Sequence, residues 1–184
     1  VYEVGARFGT IGMVFHAPDG SPWPVEVTTF RTEQYVDGTR KPDVRFGTSL
    51  EDDLWRRDFT MNAIAIDLHD GTRYDPTGGE SAIAMRVIQA VGDPHARFRD
   101  DPLRLLRAVR FTSQLGFVLD AATAAAIVDA ASELSRISRE RIASELNLIL
   151  MSDRASSGIR LATDLGLMDY AVPEIVPMRA TSQR

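Results

Sequence analysis

The sequence predicts an α+β chain in which a partial β-sheet head is followed by an all-helical neck and body, and three observations lead there. Val25-Glu26-Val27-Thr28-Thr29-Phe30 alternates with strict period two, as a strand with two unlike faces does. From Arg97 onward apolar residues recur at helical spacing. Between the two patterns lies Asp75-Pro76-Thr77-Gly78-Gly79, a cluster of turn formers that marks a boundary. The expected organisation is therefore a head over 1–76, a connector over 77–96 and a helical region over 97–184.

Within the head, Thr10 to Phe15 and Val25 to Arg31 read as strands separated by the turn cluster Pro18-Asp19-Gly20-Ser21-Pro22. A long polar loop over 32–48 follows, then a short helix from Glu51 to Arg57. Asn62 to Leu68 is expected as a third strand, turning at Asp70-Gly71 toward Arg73-Tyr74. In the helical part, Asp101 caps a helix with Pro102 at its first position, and Gly116 stops it after Leu115. Further helices are expected over Ala121 to Leu134, Arg139 to Leu150 and Ala155 to Leu165.

Composition narrows the function classes. The 184 residues are 44% hydrophobic and 26% charged, ordinary for a globular chain, and no apolar run approaches the ~20 residues of a membrane span. With no cysteine there are no disulfides or thiolate metal sites, which fits a cytoplasmic protein. A net charge of −5 argues against a globally basic nucleic-acid binder. Charge is uneven, however. From His95 to Phe111, five arginines (97, 99, 104, 107, 110) face two aspartates (100, 101), a stripe suited to a shaped phosphate site. His16, His69 and His95 have no paired spacing and suggest no metal role.

Arg104, Arg107 and Arg110 fall within an arc of about 120° on one helix whose other positions are mostly apolar. Two readings stay open: structural ion pairs with Asp100, Asp101 or the Glu51-Asp52-Asp53 cluster, or binding of a phosphorylated ligand. Asp101 and Arg104, one turn apart, offer an acceptor beside a donor. That combination complements the amine and ring nitrogen shared by cytosine and adenine, where uracil and guanine present a carbonyl instead. Capping and local pairing are the plainer use of the same two residues.

Four segments, in order, resemble the class II tRNA nucleotidyltransferases (CCA-adding enzymes) and bacterial poly(A) polymerases. They are Arg56-Arg57-Asp58-Phe59-Thr60-Met61-Asn62-Ala63, Asp75-Pro76-Thr77-Gly78-Gly79, Arg99-Asp100-Asp101-Pro102-Leu103-Arg104 continuing to Phe111, and Ile137-Ser138-Arg139-Glu140-Arg141 with Glu145-Leu146. The resemblance implies a partial nucleotidyltransferase-type head and template-independent addition of C and A to the tRNA 3′ end from CTP and ATP. A poly(A) polymerase using ATP alone, or a non-catalytic nucleotide- or RNA-binding module, are the alternatives. It also implies that Asp101 and Arg104 read the incoming base, with Arg107 and Arg110 beside them near the triphosphate or bracing the pair. Arg57, Asp58 and Asn62 fall in the sugar- and phosphate-contacting motif, and the loop Asp37 to Lys41 matches one that assists the switch from C to A. Glu26 matches a strand glutamate near the catalytic carboxylates. Family catalysis uses Mg²⁺ on an Asp-x-Asp pair. This sequence has no Asp-x-Asp, and a chain opening at Val1 with strand-like residues reads as a fragment lacking that segment, inactive alone.

Overall fold

The computed structural model describes residues 9–34, 43–46 and 49–178. The loop Asp37 to Lys41 and the strand expected at Val1 lie outside the described residues. The chain gathers into two compact units, Val1–Arg56 and Arg57–Arg184.

The first unit is built from hairpins. Strand β1 (Thr10–His16) pairs antiparallel with β2 (Pro22–Thr28), which sets Glu26 opposite Gly12. The turn between them is held by Asp19, which accepts hydrogen bonds from both the backbone N–H and the hydroxyl of Ser21. Strand β3 (Arg31–Gln34) pairs with β4 (Asp43–Phe46). The short helix α1 (Leu50–Trp55) starts where Ser49 Oγ accepts from the Asp52 N–H. Asp53, expected at a solvated surface or opposite the arginines of the long helix, is buried and paired with Arg56 three residues on.

In the second unit the expected strand over 62–68 is mostly absent. Thr60–Asn62 forms a 3₁₀ turn, and only β5 (Ala65–Ile66) pairs, with β6 (Arg73–Tyr74), around a loop containing Gly71 in left-handed conformation. The turn wins because Asn62 donates its side-chain amide back to Asp58 (3.0 Å), an alternative to a ladder that a strand cannot match locally.

Four short helices among the described residues were not anticipated, two of them before residue 101 and two after residue 165. The Asp75-Pro76-Thr77-Gly78-Gly79 cluster opens α2 (Gly79–Met85), with Asp75 accepting from the N–H groups of Gly79 (2.6 Å) and Glu80 (2.9 Å). Strand β7 (Val87–Ile88) follows, then α3 (Pro94–Asp100), capped by Asp93. Helix α4 (Leu103–Leu115) begins one residue later than expected, after Pro102, and ends where expected, with Gly116 at φ +68° closing it. Strand β8 (Val118–Leu119) returns parallel to β7, and α5 (Ala121–Ala130) continues as a 3₁₀ stretch through Arg136. Helices α6 (Arg139–Leu150), α7 (Ala155–Asp164), α8 (Met168–Ala171) and α9 (Ile175–Met178) complete the unit.

Helix α4 is the centre of this unit and packs on α3, α6, α7, β7 and β8. Leu105, Leu106, Ala108 and Val109 are fully buried, and each large side chain among them contributes about 1.5–3 kcal/mol by leaving water. The core extends to Phe59, Ile88, Phe98, Ile127, Leu134, Ile142 and Ile149. Phe59 reaches it because Asp58 to Thr60 docks as a strand-like bridge on residues 89–91, with Thr60 N–H to the Gln89 carbonyl and Val91 N–H to the Asp58 carbonyl. Gly79 lets α2 approach this turn: a Cβ there would overlap the Thr60 carbonyl oxygen and lie 2.8 Å from Ile64 Cγ1.

The two adjacent glycines separate close approach from backbone strain. Gly79→Ala is expected to cost about 2–3 kcal/mol through forced displacement. Gly78→Ala, at φ +77° with open space around it, is expected to cost about 1 kcal/mol. Urea unfolding of both variants measures the difference, and equal losses would contradict the packing argument.

Candidate functional site

Along the start and middle of α4, burial runs with period three. Asp101, Arg104, Arg107 and Arg110 are partly exposed, and the two residues between each pair are buried. The row divides into an inner half paired with Asp58 and Glu145 and an outer half paired with Arg141 and Asp100.

The inner half is an ion network. Arg107 forks onto Asp58, with Nε and Nη2 at 2.8 and 2.5 Å from Oδ2. The other carboxylate oxygen of Asp58 accepts from the Phe59 N–H (2.8 Å) and the Asn62 amide (3.0 Å). Asp58 and Asn62, expected to suit ribose hydroxyls, are bonded to each other. Arg107 and Arg110 also face Glu145 on α6, at 3.8 and 3.3 Å. Arg110 lies 4.3 Å from the Phe111 ring centroid, and Phe111 packs edge-on against Phe59.

The two buried carboxyls respond in opposite ways. Burial alone would push the Asp58 carboxyl up, but Arg107, Asn62 and the Phe59 N–H outweigh it and hold it below the ordinary carboxylate range. For Glu145 burial prevails, and Arg110 and Arg107 only partly offset it, so its carboxyl is raised.

The outer half is Asp101 and Arg104. Asp101 Oδ1 accepts from the Leu103 N–H (3.1 Å) and its carbonyl accepts from the Arg104 N–H (3.0 Å), so it caps α4 as the sequence implied. Its Oδ2 lies 2.7 Å from Arg141 Nη2 on α6. Arg104 donates to the Arg97 carbonyl (3.2 Å) and stands 3.8 Å from Asp100. Their side chains keep 31% and 13% of their surface, so neither is sealed in the core. Chemically the pair offers an acceptor and a donor about one helical turn apart, both partly exposed.

Arg57 is exposed and donates to the Asn62 carbonyl (3.3 Å). Glu26 lies exposed on β2 in the other unit. Among the described residues no three acidic or histidine side chains stand together as metal ligands. Sequence reasoning missed Glu145 and Arg141 as partners of the α4 row. A signal for Glu145 existed: it shares the buried stripe of α6 with Ile142 and Ile149, where a carboxylate needs cationic partners.

Asp58→Asn is expected to destabilise the chain by about 3 kcal/mol at pH 7, because it leaves Arg107 with only the more distant Glu145 as a charged partner. The depressed carboxyl stabilises the fold above its unfolded-state value of about 3.9 and loses that effect as pH falls through the folded value. The gap between wild type and variant should therefore shrink from pH 5 to pH 2 in urea titrations. A constant gap would place the loss elsewhere.

Comparison with known proteins finds relatives over most of the chain. The family described as Poly A polymerase head domain matches residues 1–89, and that described as the probable RNA and SrmB-binding site of polymerase A matches residues 116–178. The CCA-adding enzyme of Geobacillus thermodenitrificans is 48% identical over 91% of this chain and 40% of its own length. The chain thus spans about two fifths of the curated relatives it matches. The crystal structure of Bacillus stearothermophilus CCA-adding enzyme in complex with CTP is similar with a TM-score of 0.77, at 46% identity, over 91% of this chain and 39% of that one. A tRNA nucleotidyltransferase complexed with a primer tRNA and an incoming ATP analog gives 0.69 at 29% identity, over 92% and 49%. Motif order, fold and identity agree over most of the sequence, and the chain belongs to the nucleotidyltransferase family of CCA-adding enzymes and poly(A) polymerases.

Proposed function

We propose that this chain is the base-selecting part of an enzyme that adds C and A to the 3′ end of tRNA from CTP and ATP. The observation that carries the reading is the partly exposed Asp101–Arg104 turn at the start of α4, backed by a buried ion network that fixes the helix. An acceptor and a donor held there meet the amine and ring nitrogen of cytosine or adenine. A uracil or guanine carbonyl would face the Asp101 carboxylate with no proton between them, a mismatch that discriminates by orders of magnitude in a desolvated site.

In this reading Arg107 and Arg110 brace the pair through Asp58 and Glu145, while exposed Arg57 is placed for phosphate. Asn62 acts through Asp58. The helical region over 97–184 then serves both nucleotide and RNA, and the match of residues 116–178 to a probable RNA-binding region supports tRNA contact there. Mg²⁺ would be held by carboxylates outside this chain, with Glu26 as an accessory acid. The relatives' names favour CCA addition over poly(A) synthesis. No helix among the described residues is long and apolar enough to cross a membrane, which is compatible with work in the cytoplasm.

Equilibrium binding of the four nucleoside triphosphates to wild type and Asp101→Ala tests the assignment. Wild type should prefer CTP and ATP over UTP and GTP, and the variant should lose that preference by at least about tenfold. An unchanged preference in the variant would refute it.

A further inference from the structure

We infer that Arg141 is a positioning residue for base choice, fixing the direction in which the Asp101 carboxylate offers its lone pairs. This rests on the reading of Asp101 and Arg104 as the base-selecting pair.

The rotation that swings a carboxylate about its last bond is broad, so an aspartate held by one oxygen samples a range of acceptor directions. Asp101 is held by both. Oδ1 takes the Leu103 N–H of its own helix at 3.1 Å, and Oδ2 takes Arg141 Nη2 of α6 at 2.7 Å. Pinned from two elements, the carboxylate plane cannot turn, and about one lone pair per oxygen is left for an incoming donor. The anchor on the α6 side is itself fixed. Ser138 Oγ accepts the Arg141 backbone N–H in a capped first turn, and the next residue, Ile142, is buried in the core shared with α4.

Arg141 itself is not a core residue, since its side chain keeps 50% of its exposure. Its ion pair is therefore a weak source of stability, and removing it is expected to leave the fold standing. What it changes is direction. With the Arg141 contact gone, Oδ2 can turn away from the position that meets an amine, and the advantage of cytosine and adenine shrinks with it.

The test is equilibrium binding of CTP, ATP, UTP and GTP, with Mg²⁺ present, to the full chain carrying Arg141, Arg141→Ala or Arg141→Lys. Arg141→Ala should weaken CTP and ATP about tenfold while leaving UTP and GTP unchanged, and Arg141→Lys, which keeps a cation and donors, should recover most of the preference. A melting curve followed by circular dichroism checks folding. If Arg141→Ala does not fold, Arg141→Gln carries the same comparison. An unchanged preference overturns the inference, as does equal weakening of all four nucleotides, which assigns Arg141 only a structural tie between α4 and α6. Wild type binding all four equally would instead remove the base-selecting reading itself, before any substitution is compared.

Discussion

The fork of Arg107 onto Asp58, continued through Glu145 to Arg110, is the interaction on which the second unit depends. It joins three segments far apart in sequence: the turn at 57–62, helix α4 and helix α6. Apolar burial drives these elements together without saying which rotation of α4 is correct. Buried charges do say it, because a guanidinium left without its carboxylate in this interior costs several kcal/mol. Only one rotation of α4 brings Arg107 to Asp58 and Arg110 to Glu145 while placing Leu105, Leu106 and Val109 in the core.

That constraint has a consequence at the helix start. With its middle fixed, α4 presents Asp101 and Arg104 at its first turn, where side chains are only partly buried. The turn carrying Asp58 is in turn backed by α2, whose Gly79 comes so near the Thr60 carbonyl that no side chain fits. Rigidity is thus passed from a glycine contact to a buried carboxylate, and from there to an exposed acceptor–donor pair. Such support matters for selection between bases, because a loosely held polar pair can adapt to the wrong partner.

How much of this was legible in the sequence follows from how local each determinant is. Helix α4 was readable at both ends because Asp101, Pro102 and Gly116 act on their immediate neighbours. The β1–β2 hairpin was readable for the same reason. Helices α2 and α3 escaped notice: each is seven residues long, too short for a periodic apolar pattern, and their caps Asp75 and Asp93 sit in clusters that read simply as turns. The parallel β7–β8 pair could not be seen, since it joins residues about thirty apart. The α4 arginines stood out as a group, and Asp100 beside Arg104 with them, but the distant partners did not. Glu145 lies 35 residues from Arg110, Arg141 lies 40 from Asp101, and Arg107 lies 49 from Asp58. Pairings at such separations are products of the fold.

A crystal structure of the protein with CTP bound tests the central claim most directly. The account predicts the cytosine amine within hydrogen-bonding distance of Asp101 and the ring nitrogen facing Arg104, with the Asp58–Arg107 fork unbroken behind them. A base seated away from α4, or a nucleotide that draws Arg107 off Asp58, would contradict it.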